Sequence, residues 1–192
     1  MSKTKKLVFD SVLSFLEEEA ALDLTVARVK VMTGLSTGTI YYHFPKGVED
    51  IYGYVFKTLA ENLKKVLSAE IKENQCFKNT LHITLSRYFK WHDKNKRGSN
   101  FFYKVNRAGL KSIDDLLDEE FSVLTRSVYS KLNELAKKEG RHLVEPFILD
   151  AVLFGASREL IHGWIKRGRK RGELKIILEE FLEIALRISV KG

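Results

Sequence analysis

Two prolines, Pro45 and Pro146, are the only ones in 192 residues. Proline removes a backbone donor and breaks a helix, so their scarcity leaves long stretches open to helix. The apolar pattern fills those stretches at helical spacing. Val8, Val12, Phe15 and Leu16 fall on one face of residues 4–20. Ile51, Val55, Leu59, Leu63, Val66 and Leu67 form one stripe of a helix that starts at Glu49 and Asp50 and runs to about residue 72. Further helices are predicted near 76–94, 99–110, 114–139, 145–167 and 173–190, with Gly98, Gly140 and Gly172 at the breaks. The reading is an all-α chain.

Between the first helix and the long one the pattern tightens. Thr25 stands where an N-cap belongs, ahead of a short helix over 26–32. Gly34 can take the positive φ of a tight turn, and Ser36 is a second N-cap, opening a helix to about Tyr42. Phe44-Pro45 ends it, since a residue before proline avoids the α region. Helix, glycine turn and helix within about twenty residues form a helix-turn-helix, which offers the start of its second helix to a DNA major groove.

That second helix suits the task by chemistry. Thr37 and Thr39 bring a hydroxyl and a methyl each, and Gly38 lets backbone approach closely. Tyr41 can meet a sugar or a thymine methyl. Tyr42 and His43 can donate to phosphate, with Thr25 and Lys46 flanking the groove. Phe44 reads as core. No arginine or asparagine on the helix can make a bidentate base contact, so DNA shape is expected to supply part of the specificity. Charge is not the driver. Of a net +8, residues 1–47 hold six basic and five acidic side chains, and the remainder lies beyond. Lys3, Lys5 and Lys6 can track the minor groove or form a solvated tail.

The run Thr25-Val26, then Thr33-Gly34-Leu35-Ser36-Thr37-Gly38-Thr39-Ile40-Tyr41-Tyr42-His43-Phe44-Pro45, resembles the N-terminal domain of the TetR (tetracycline-repressor-like) family. The resemblance covers residues 4 to about 65. It implies an all-helical homodimer, with a three-helix DNA-binding domain over 1–47 and a helical effector-binding and dimerisation domain over 48–192. It further implies a repressor released from a palindromic operator by a small ligand. Thr25, Ser36, Thr37, Gly38, Thr39, Tyr41, Tyr42, His43 and Lys46 then occupy DNA-contact positions. Three residues depart from the family pattern. Thr37 stands where a lysine or small polar residue is usual, and Val48 where a lysine often falls. Lys30 replaces a small alanine under the recognition helix, so it must snorkel or alter the helix crossing. A DNA-binding repressor or architectural factor without any effector is the alternative.

The C-terminal signals are coarser. Residues 87–111 carry eight basic side chains against Asp93 alone, and an acidic block, Asp114, Asp115, Asp118, Glu119 and Glu120, follows. Mutual neutralisation of the two blocks is one reading. The other is an apolar pocket with a basic mouth, built from Tyr88, Trp91, Phe101, Phe102, Tyr103, Arg107, Phe121 and Arg158. That suits a fatty acyl-CoA or another lipophilic anion. Arg158 and His162 share a helix face and suit a ligand or the dimer seam. The last two helices are apolar on most sides, which predicts a two-fold four-helix bundle through Phe147, Val152, Gly155, Trp164, Ile177, Phe181, Ile184 and Ile188.

Other function classes find little support. The five histidines lack metal-ligand spacing, Cys76 has no histidine near it in sequence, and there is no glycine-rich phosphate loop. Neither an enzyme nor a cofactor is expected. A single cysteine permits no intrachain disulfide, and no apolar run reaches the roughly 18 residues of a membrane span. A soluble cytoplasmic protein is expected, with its basic turn at Lys166, Arg167, Arg169, Lys170 and Arg171 in solvent.

Overall fold

The computed structural model describes residues 2–18, 23–69, 76–108, 126, 128–168 and 172–191. Helix dominates. The elements are α1 (Lys3–Glu18), α2 (Val26–Thr33), α3 (Thr37–His43), α4 (Val48–Leu67), α5 (Phe77–Lys94) and α6 (Lys96–Ala108). They continue as α7 (residues 128–138), β1 (His142–Leu143), α8 (Pro146–Asp150), a π-helix (Ala151–Ala156), α9 (Ser157–Lys166), α10 (Glu173–Ser189) and β2 (Val190–Lys191). The two short strands pair antiparallel, His142 with Lys191 and Leu143 with Val190.

The chain divides into two compact units, Met1–Glu61 with Asn95–Glu120 and Asn62–Lys94 with Phe121–Gly192. The unit that carries the helix-turn-helix is therefore wider than the boundary at residue 47 suggested. It also takes in α6, which packs on α1. Its core holds Val8, Val12, Leu16, Val29, Ile40, Phe44, Ile51, Val55, Phe56, Phe101 and Val105, each at most 2% exposed. The rings of Tyr52 and Phe101 stand 6.2 Å apart, and those of Phe56 and Phe102 meet edge-on at 5.3 Å. These aromatic residues in the middle of α6 thus pack on α4 within this unit.

The α6 segment also accounts for an oddity of α1. That helix ends on glutamates, the unfavourable charge for a C-terminus. Arg97 meets Glu17 at 2.7 Å, and Asn100 donates to the free carbonyl of Leu16 at 2.7 Å. Lys104 donates to the same carbonyl, placing a cation at the negative end of the helix dipole. Part of the basic block thus serves α1. The acidic block lies outside the described residues.

In the second unit α5 and α10 pack side by side. Phe77, Leu81, Leu85, Tyr88 and Phe89 are buried from the α5 side, and Leu178, Phe181, Leu182 and Ala185 from α10. Trp91 donates its indole N–H to Asn62 at 2.7 Å, and the backbone N–H of Phe77 donates to Glu139 at 2.6 Å. Lys78 pairs with Glu183 at 3.3 Å on the surface. Two expectations change here. Gly98 does not break the chain: it lies buried inside α6, and the interruption is at Asn95. The expected single helix over 145–167 contains a π-helix, and the periodicity of its apolar residues gave no sign of it. Gly140 and Gly172 sit at breaks as expected.

Candidate nucleic-acid interface

The local chemistry of the helix-turn-helix follows from its caps. The hydroxyl of Thr25 accepts the backbone N–H of Arg28 at 3.2 Å. Gly34 closes α2 at φ 70°, in the left-handed region, and its N–H reaches the carbonyl of Lys30. Ser36 Oγ accepts the backbone N–H of Thr39 at 3.0 Å and shares a hydrogen bond with the Thr39 hydroxyl at 2.8 Å. The Thr39 side chain is thereby held at the first turn of α3 before any partner arrives. Leu24 donates its N–H to the Tyr52 hydroxyl at 3.4 Å, linking the start of α2 to α4. Burial raises the pKa of that phenol above its ordinary value, the Leu24 bond opposes this, and Asp23 adds to it.

One side of α3 is committed to the core and the other is open. Ile40 and Phe44 are buried, at 0% and 2% exposure. Thr25, Ser36, Thr37, Gly38, Tyr41, Tyr42 and Lys46 are exposed, and Thr39 and His43 half-buried. All nine expected contact residues thus lie at the surface of one unit. Tyr42 is 82% exposed, and its only ring neighbour among the described residues is His43, edge-on at 5.0 Å. A tyrosine so placed does nothing for the core. Tyr41 is more constrained. A Cβ built at Gly47 would stand 3.4 Å from its ring and 3.2 Å from Val26, so the loop after α3 closes tightly on this tyrosine. Gly47 also needs its φ of 65°.

Gly38 is different in kind. A Cβ there would meet only the Ser36 hydroxyl, at 3.8 Å, and nothing else within 4 Å. The fold itself has no need of a glycine at this point.

The flanking charges are partly occupied. Arg28 pairs with Asp23 at 2.8 Å and lies over the Phe15 ring at 5.3 Å. Lys5, expected to track the minor groove or lie in a solvated tail, stands 5.8 Å from the Phe44 ring centroid and 5.3 Å from that of Tyr54. It is therefore attached to the base of α3 through two aromatic faces. Nothing in its spacing could have shown this, because Tyr54 is far away in sequence. The backbone N–H of Lys46 donates to Asp50 at 2.8 Å, fixing the loop while the Lys46 side chain stays exposed. Lys30 is exposed outright, so the larger side chain is accommodated by pointing to solvent and not by lying under α3.

The residues expected to bind an effector divide between the units. Phe101 and Phe102 are core residues of the first, and Tyr88 and Trp91 of the second, all at most 3% exposed. Tyr103 is half-buried and hydrogen-bonds Arg107, whose guanidinium lies 5.1 Å from the Tyr103 ring centroid. Arg158 is half-buried, and Phe121 lies outside the described residues, as do Arg169, Lys170 and Arg171. Tyr88, His92 and Phe154 stack edge-on, with centroids at 4.5 and 5.1 Å from Tyr88. Burial, with the positive charge of Arg158 adding to it, pushes the His92 imidazole down to about 3. Burial also pushes the Tyr88 phenol up.

Of the expected seam residues, Trp164 and Phe181 are the most buried. They are 5% and 6% exposed within the chain, Phe181 beside Phe89 at 6.2 Å. Val152, Gly155 and Ile177 are half-buried, and Phe147, Ile184 and Ile188 exposed. Among the described residues there is no group of His, Cys, Asp or Glu suited to a metal ion. No helix of these residues is long and apolar enough to cross a membrane.

No protein-family model and no curated protein matches the sequence. Solved structures do match in fold. A protein of Shewanella sp. PV-4 assigned to the TetR family of transcription regulators superposes with a TM-score of 0.79 at 13% identity, over 100% of both chains. A Rhodococcus sp. protein assigned to the same family gives 0.78 at 13%, over 96% of this chain and 100% of its own. The transcriptional regulator FadR of Bacillus subtilis, solved in complex with stearoyl-CoA, gives 0.74 at 17%, over 94% and 96%. At such identities the likeness is one of fold: the chain has the all-α fold of TetR-family regulators.

Proposed function

We propose that this chain is a TetR-type transcriptional regulator that binds double-stranded operator DNA through α3. The observation that carries this reading is the open side of α3. Gly38 has no internal neighbour that excludes a side chain, and Tyr42 is almost wholly in solvent, yet both sit on a helix whose other side is fixed in the core. Helix propensity would favour almost any residue over glycine at position 38. A partner surface that must come close to the backbone gives glycine a use.

In this reading Thr37 and Thr39 face base edges, Ser36 holds the Thr39 hydroxyl in place, and Tyr42, His43, Thr25 and Lys46 contact phosphates. Tyr41 lies against Gly47, so it shapes the end of the reading surface as well as touching DNA. The chain acts as a homodimer on a palindrome, with half-sites about 34–36 Å apart or a multiple of that. Exposed isoleucines along α10, Ile176, Ile184 and Ile188, with Leu160 of α9, support the dimer: these positions are apolar and uncovered in the protomer. A repressor released by a small lipophilic ligand completes the proposal, with an acyl-CoA among the candidates to test.

Genomic footprinting of the purified protein, followed by fluorescence anisotropy on the recovered sites, tests the reading. A palindromic site bound at nanomolar protein, and weakened alike on all sequences by Tyr42→Phe, is the expected result. Absence of any footprint, or sequence-independent binding only, overturns it. Titration with acyl-CoA on the same site tests the effector: operator affinity unchanged to high micromolar ligand removes that candidate.

A further inference from the structure

The second unit contains a cavity of about 250 Å³ that none of the eight expected effector residues lines. Its apolar walls are Val128 and Tyr129 of α7, Pro146 and Leu149 of α8, and Leu153 and Phe154 of the π-helix. Arg126 borders it and is exposed, so its charge meets water. Apart from Arg126 and the Tyr129 hydroxyl, the polar group in this lining is Asp150, the last residue of α8. Its Oδ1 is buried and has no hydrogen-bond partner among the described residues. Unmet buried acceptors are costly, and native folds leave few of them without a reason.

The backbone supplies a second and independent observation. The helix widens to a π-helix immediately after Asp150, over Ala151–Ala156. Such inserted turns are rare and cluster at functional sites. Here Leu149, Asp150, Leu153 and Phe154 all border the same space across the join.

The electrostatics select the ligand class. Burial pushes the Asp150 carboxyl up, and the positive charge of Arg158 pulls it back. A cationic ligand would meet the field of Arg158, and an anionic one that of Asp150. The acceptor that remains suits an uncharged donor. The volume lies below the roughly 300–1,000 Å³ of pockets for drug-sized molecules, so the occupant has on the order of ten non-hydrogen atoms. We propose that this cavity binds a small, uncharged, mostly apolar molecule bearing one hydroxyl, phenol-like in character, whose O–H donates to Asp150 Oδ1. As a binding site it stands without reference to DNA; only its service as an effector site rests on the function proposed above.

Calorimetric titration of the full chain with 4-propylphenol, and with 4-propylanisole as the matched molecule lacking the donor, tests it. The phenol is expected to bind saturably and about tenfold or more tighter than the anisole, as for a hydrogen bond to a charged acceptor. Asp150→Leu, at a half-buried position, should reduce that ratio to within twofold. Leu153→Trp, which fills the space, should abolish binding of both. Equal affinity of phenol and anisole for the unaltered protein overturns the proposal, and so does no saturable binding to millimolar phenol. Phenol binding that survives in folded Leu153→Trp places the ligand elsewhere and also overturns it. These outcomes are read without DNA, so they are separate from a failure of the operator reading.

Discussion

Replacing Gly38 with alanine should move folding and DNA binding in opposite directions. Gly38 is the second residue of α3. Alanine is favoured over glycine by about 0.5–1 kcal/mol in a helix interior, and the lower figure applies so near the helix start. Nothing offsets this gain, because the new methyl would make only one ordinary contact, with Ser36 Oγ at 3.8 Å. For a chain of this size ~0.5 kcal/mol corresponds to a rise in Tm of about 1–2 °C. The same methyl would project toward the DNA that the reading places there. Loss of one close contact on a base edge costs about 1–3 kcal/mol, or roughly 5- to 150-fold in operator Kd. Differential scanning fluorimetry gives the first quantity, and anisotropy at fixed salt on a footprinted site the second. An operator Kd within twofold of the unaltered protein would refute the close approach. A lowered Tm would refute the claim that the space around Gly38 is open.

Three further outcomes follow from the same structure. Lys46→Ala should weaken binding to all DNA sequences alike and reduce the slope of log K against log salt by about one, measured by anisotropy across 50–200 mM salt; an unchanged slope removes Lys46 from the phosphate contacts. The buried His92 is held neutral, with a folded pKa of about 3 against an ordinary 6.5, so the unfolded chain binds the extra proton. Unfolding free energy should therefore be unaffected by this group above pH 6.5 and fall as pH drops toward 3, by at most about 1.4 kcal/mol per unit; denaturant titrations should find that His92→Phe removes this component of the slope. Ile184→Glu, at a position 54% exposed in the protomer, should shift sedimentation from dimer to monomer at micromolar concentration while leaving helix content unchanged; a retained dimer assigns the seam elsewhere.

What could be read from the sequence was local. Thr25, Gly34 and Ser36 act within three or four residues of themselves, and the structure has them capping and turning as their chemistry predicts. Phe44 is buried, as its core reading expected, and Tyr42 lies in solvent. What could not be read depends on partners distant in sequence or on register. Glu17 looked misplaced at the end of α1 until Arg97 came beside it, 80 residues on. Gly98 carries the residue type of a break but is buried within a helix. The π-helix has no residue signature, because one inserted position leaves the apolar pattern of 145–167 nearly intact. Trp164 and Phe181 were apolar enough for an interface; only the packing of α5, α9 and α10 shows that they are buried within the chain itself.

The grip of α6 on the end of α1 has a consequence for anyone who would transplant the helix-turn-helix onto another chain. A graft cut at residue 47 carries α1 to α3 but leaves behind Arg97, Asn100 and Lys104, and with them the donors that satisfy the Leu16 carbonyl. It also strands Phe101, which is buried in the same unit. The portable piece is thus discontinuous in sequence, with its second part inside what the linear order would assign to the C-terminal domain. A chimera has to import residues 95–108 along with α1 to α3, or rebuild that helix's contacts on the new host.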